Sequence, residues 1–139
     1  MKLSIKIGIL LAVVACTPTH TNNGSDRKTA SEAEDRARLE QMELEILAII
    51  GDAECGDAAE CRTIAFGAKP CGGPWRYLVY SAVDVDMDLL HQKVAEYYAL
   101  NRDMNQKYGY FSDCMVAAQP TVGCVDGKCG KIARDRVAR

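Results

Sequence analysis

Seven cysteines in 139 residues constrain this chain more than any other feature: six lie between residues 55 and 129, and the seventh, Cys16, stands apart. Six cysteines allow 15 pairings, and any of them needs an oxidising compartment to persist. The N-terminus points to one. Lys2 and Lys6 frame a charged start, and the apolar run Ile7–Ala15 follows and ends in small residues before Cys16. That is the pattern of a secretory signal. The uninterrupted apolar stretch is nine residues long, against the ~20 that a spanning helix needs. With Cys16 set aside, Cys55, Cys61, Cys71, Cys114, Cys124 and Cys129 are expected to close into three disulfides.

Val13-Val14-Ala15-Cys16 resembles a bacterial lipobox, in which aliphatic and small residues precede an invariant cysteine. The resemblance implies cleavage before Cys16, a diacylglycerol on its sulfur and a further chain on its freed amine. Two or three acyl chains, at ~0.8 kcal/mol per buried methylene, hold a protein on a membrane where one does not. Residues 1–15 are then a leader, and residues 16–30 are the lipidated cysteine and a flexible linker. His20 is a solvated member of that linker. Thr17 stands where some bacteria place an aspartate that retains lipoproteins at the inner membrane, so a two-membrane host would carry the chain on its outer membrane. Losing Lys2 and Lys6 moves the net charge from −2 to −4. A mildly acidic domain lacks the clustered basic face of a nucleic-acid binder.

Residues 31–132 remain for one α+β domain of two helices packed on a short antiparallel sheet that ends in a β-hairpin. Ser31-Glu-Ala-Glu34 reads as a capping box, and Leu39, Met42, Ile46, Ile49 and Ile50 recur at helical spacing up to Gly51. A second helix is expected from the Asp84–Asp88 region to Tyr108, stopped by Gly109, with Leu90, Val94, Tyr97, Met104 and Tyr108 on one face. Arg62–Phe66, Tyr77–Tyr80 and Met115–Ala118 read as strands. Residues 133–139, with Arg134, Arg136 and Arg139, form a basic tail expected to fray.

Asp126-Gly127 is the strongest hairpin signal in the chain, a two-residue turn with both central residues at positive φ. Its register sets Val125 opposite Lys128 and Cys124 opposite Cys129. The latter is a non-hydrogen-bonded pair with Cα atoms ~4.5 Å apart, within disulfide range. The expected local pair is therefore Cys124–Cys129; the connectivity of the other four stays open, one arrangement being Cys55–Cys61 around a short acidic loop with Cys71–Cys114 tying the middle of the chain to the end of the second helix.

Pro70-Cys-Gly-Gly-Pro-Trp-Arg-Tyr-Leu-Val-Tyr-Ser81, with Ile64-Ala-Phe-Gly67 before it and Ser112-Asp-Cys114 after it, is similar to an uncharacterised family of small exported bacterial proteins. The resemblance covers roughly residues 61–129. It implies a single exported domain and brings no catalytic residue with it. From the residues themselves, Gly72-Gly73-Pro74 is a tight turn leading into a strand that carries Trp75, Tyr77 and Tyr80. Such aromatics are ordinary strand content, and Trp75 and Tyr77 would also rim a recognition surface.

Other chemistries find less support. Asp84, Asp86 and Asp88 are spaced like the start of an EF-hand loop, but Leu89 and Ala95 stand where that loop needs Gly and Glu. The aspartates suit the start of a helix instead. The cysteine spacings match no zinc ribbon or finger, and no phosphate-binding loop follows Gly73. The reading therefore assigns no metal and no cofactor. Two functions remain. The first is a lipid-anchored, non-catalytic binding or structural module of the cell envelope, facing a protein, glycan or small ligand. The second is an exported enzyme: a thiol redox protein using Cys71 beside Arg76, or a hydrolase using His91 with Ser81, Ser112 or Cys114. No nucleophile elbow accompanies His91.

Overall fold

A computed structural model describes residues 24–83 and 85–133, with side chains from residue 32 onward. Cys16, the leader, His20, Asp84 and the three arginines of the tail lie outside the described residues. The chain runs α1 (Gly24–Ile50), a 3-10 turn (Ala58–Glu60), β1 (Cys61–Phe66), β2 (Arg76–Ser81), α2 (Met87–Tyr108), β3 (Val122–Val125) and β4 (Lys128–Lys131). This is the expected α+β class, but the strands form two separate two-stranded antiparallel sheets, β1–β2 and β3–β4. No helix among the described residues is long and apolar enough to cross a membrane.

One apolar stripe on each helix explains the packing. Ile46 and Ile50 of α1 meet Leu90, Val94 and Tyr97 of α2 over Phe66, Leu78 and Tyr80 of the first sheet. Ile46 and Leu90 are fully buried, and the rings of Phe66 and Tyr97 stack 4.2 Å apart. The remaining faces of α1 are charged and reach across to their neighbours. Asp35 pairs with Lys107 and Glu45 with Lys93, so the helices lie antiparallel, and Glu43 pairs with Arg76 of β2.

α2 begins and ends as its sequence dictates. Asp86 caps it by accepting the Leu89 N–H at 3.0 Å, and Gly109 closes it in the left-handed region at φ 65°. α1 departs from expectation by starting at Gly24, so its first seven residues occupy what was read as linker and Ser31 is not its cap. No proline lies between residues 24 and 50, and once a helix is nucleated each added residue contributes a bond. Met115–Ala118 is no strand. Residues 110–121 contain no regular element; Cys114 turns the chain at φ 53°, and Lys69 Nζ occupies the Met115 carbonyl at 2.6 Å.

The disulfides require a larger correction. The hairpin has the expected register, Cys124 opposite Cys129, with Asp126 and Gly127 at φ 52° and 76°. The two cysteines nevertheless bond elsewhere, as Cys55–Cys124 and Cys61–Cys129, with Cα separations of 5.9 and 5.4 Å. Residues 53–55 run beside β4, where Cys55 N–H donates to Gly127 O and Cys129 N–H donates to Ala53 O, both at 2.9 Å. Cysteines facing one way from the hairpin thus meet the two that flank the 3-10 turn. Cys55–Cys61 and Cys124–Cys129 are not formed, whereas Cys71–Cys114 is.

Digestion of the oxidised chain with trypsin plus a glutamate-specific protease cuts after Glu60 and Lys128, separating the cysteines of each locally expected pair. Non-reducing mass spectrometry is expected to find Cys55 linked to Cys124 and Cys61 to Cys129. A Cys124–Cys129 peptide would contradict the fold.

Candidate functional site

The turn between β1 and β2 shapes the most distinctive surface. Gly72 N–H bonds Lys69 O, and Lys69 N–H bonds Gly73 O, each at 2.9 Å. Two asparagines of α2 hold this connection from below. Asn101 Oδ1 accepts from Ala68 N–H, and the buried Asn105 donates through Nδ2 to Ala68 O, both at 2.8 Å. Trp75 then re-enters the sheet with its N–H on Phe66 O at 3.0 Å. Its ring lies against Gly67, where an added Cβ would stand 2.7 Å from Trp75 Cδ1, and the φ of +79° there also suits only glycine. Trp75 stays 44% exposed, with Lys69 Nζ 5.2 Å above its ring.

Across from Trp75, the end of α2 adds Tyr108, Gly109, Tyr110 and Phe111. With Arg36 and Asn105 they line a cleft of about 530 Å³, within the ~300–1,000 Å³ range of ligand sites. Its tyrosines are fixed by α1. Tyr108 donates to Asp35 Oδ2 at 2.7 Å, Tyr110 donates to Glu32, and Arg36 donates to the Tyr110 hydroxyl at 2.8 Å. Phe111 is 92% exposed, and Met115 and Val116 continue the apolar strip at 69% and 91%. The Cys71–Cys114 disulfide ties that strip to the glycine turn.

The ionic contacts leave a mark on these groups. Hydrogen bonds from Lys107 and then Tyr108 hold Asp35 below the usual carboxylate range. Lys69, with the Met115 N–H, does the same to Asp113. Removal from water, then the bond to Glu32, pushes the Tyr110 phenol up.

The residues singled out in the sequence are distributed unevenly. Trp75 lines the cleft, but Tyr77 is half-buried opposite Ala65 and does not. Tyr80 belongs to the core. Arg76, the expected positive neighbour of Cys71, pairs instead with Glu43 at 2.6 Å and lies over the Phe66 ring. Cys71 and Cys114 are bonded to each other, so neither sulfur is a thiolate. His91 lines a different groove, whose lining includes none of Ser81, Ser112 or Cys114. The sulfurs of Cys55, Cys61 and Cys129 lie within 4.8 Å of one another, but each is already in a disulfide, and a metal would need thiolates. The residues missed in the sequence are Arg36, Asn105, Tyr108, Tyr110 and Phe111. The run Tyr108-Gly-Tyr-Phe111, three aromatics around a helix stop, was the available signal.

Fold and cleft together define a disulfide-braced α+β domain with a partly exposed aromatic cleft. No family model, no curated protein and no solved structure matches the chain.

The Asp35 contacts predict a pH response. Its folded pKa is depressed, so the stability it contributes is complete above the unfolded value of about 3.9 and is lost as pH falls through the folded value. A carboxyl-carbon NMR titration is expected to place the Asp35 midpoint below ~3.9 and to move it upward in Lys107→Met. A midpoint above that value with Lys107 intact would contradict the clamp.

Proposed function

We propose that this chain is a non-catalytic binding module of the bacterial cell envelope, tethered through lipid on Cys16 and engaging a partner protein at the Trp75 cleft. The observation that carries the reading is the exposure of Trp75 and Phe111 on a surface whose geometry is already fixed. Binding hot spots favour Trp, Tyr and Arg in well-packed pockets, and a surface ordered beforehand loses less entropy on association. A protein suits the cleft better than a glycan does. The hydroxyls of Tyr108 and Tyr110 are committed to Asp35, Glu32 and Arg36, and the strip through Phe111, Met115 and Val116 offers large apolar side chains to its occupant.

The lipobox resemblance and the secretory leader support the tether, Thr17 supports the outer membrane of a two-membrane host, and the disulfides suit an oxidising envelope.

A photo-crosslinking residue at position 111, expressed in the native host, is expected to capture a discrete envelope protein. Trp75→Ala should weaken that association by ~2 kcal/mol or more, about thirtyfold, while circular dichroism retains the folded signature. Intact mass should show cleavage before Cys16 plus acyl chains. Absence of a crosslinked protein, with envelope glycan retained on the wild-type chain, would transfer the cleft to a sugar ligand.

A further inference from the structure

The first sheet leaves one edge open. Ala82 N–H bonds Glu60 O at 2.9 Å, so Glu60 and, by alternation, Arg62, Ile64 and Phe66 direct their backbone groups toward β2. Cys61, Thr63 and Ala65 point the other way. The contacts of Cys61 agree with this: its N–H bonds Ala58 O, and its C=O accepts from the Arg62 guanidinium at 2.9 Å. Among the described residues, no hydrogen bond reaches the main-chain N–H or C=O of Thr63 or Ala65. These groups are not walled off. Thr63, Ile64 and Ala65 form one side of a groove of about 550 Å³, and His91, Val94, Ala95 and Tyr98 form the other. Those four share a face of α2, spaced three and four residues apart.

We propose that this edge accepts an extended peptide as a third strand, laid between β1 and α2. Two N–H and two C=O groups alternate along it, a row of opposite partial charges that an extended main chain complements at the same spacing. Alternate side chains of the added strand would face Ile64, Val94, Ala95 and Tyr98, which favours a medium apolar residue at every second position. The edge lacks the usual guards. β1 contains no lysine, no proline and no break in register. Its one charged residue, Arg62, is folded back onto the carbonyls of Ala59 and Cys61. A second copy of the chain suits the site less well. Antiparallel β1–β1 pairing about a two-fold normal to the sheet brings both α2 helices to the same face, where each already overhangs the shared edge.

The groove and the Trp75 cleft have no lining residue in common. A phage-displayed library of linear decapeptides, panned on the oxidised full chain in detergent, is expected to enrich sequences with alternating apolar residues. A synthetic peptide of the leading sequence should bind wild type and lose about tenfold or more with Ala65→Pro, which deletes an outward N–H and no bond to β2. Ala95→Trp, at an exposed helix position, should block the groove equally and keeps the test alive if the proline variant fails to fold. Trp75→Ala should leave this binding unchanged, so failure here and failure of the cleft reading are separable. The proposal is overturned by no enrichment above background, by peptides that Ala95→Trp still binds, or by a dimer that Ala95→Trp abolishes.

Discussion

Two adjacent disulfides at the β3–β4 hairpin are the constraint on which the rest depends. Cys55–Cys124 and Cys61–Cys129 each join positions nearly 70 residues apart, with separations of 69 and 68. Chain entropy alone values such a closure at about 4 kcal/mol. The second bridge adds less, about 3 kcal/mol by the same relation, because once one is closed the other shuts only the short loops between neighbouring cysteines. It also adds orientation. With the backbone bonds of Ala53 and Cys55 to the hairpin, the pair fixes the second sheet against the start of β1, where a four-residue strand pair has little core of its own to hold it.

The third bridge has a different job. Cys71–Cys114 lies at the other end of β1 and β2 and joins the glycine turn to the segment after α2. That segment has no regular structure and little burial, so the covalent tie adds to the Tyr110 and Lys69 contacts that hold Phe111 beside Trp75. Gly67 positions the indole, the α1 carboxylates position the tyrosines, and the disulfide positions the strip. Three inexpensive local devices thereby produce a surface that is apolar, exposed and ordered, although the core beneath it is small.

Much of this was legible in the residues. The limits of α2 follow from Asp86 and Gly109, β1 and β2 from their apolar runs between glycine and proline, and the hairpin register from Asp126-Gly127. These are local signals, and local signals dominate element boundaries. The pairing of four cysteines was not legible, because the distance between Cys124 and Cys129 is only one side of a competition. Which cysteine wins depends on residues 53–55 lying beside β4, a contact between segments about 70 positions apart. The cleft was half legible for the same reason. Trp75 stands out in the sequence and the Tyr108–Phe111 run was passed over, while Glu32, Asp35 and Arg36, which fix the tyrosines, sit on an ordinary-looking charged helix more than 70 residues upstream. The start of α1 was misplaced because a plausible capping box at Ser31 lies inside a stretch that simply stays helical.

The division of labour among the bridges is the central claim, and amide hydrogen exchange on Cys71→Ser/Cys114→Ser tests it most directly. The account predicts that protection falls at the turn and strip, around Lys69, Gly72 and Trp75, while amides of Ile46, Leu78 and Leu90 keep theirs. Loss of protection throughout the core, or none at the turn, would contradict it.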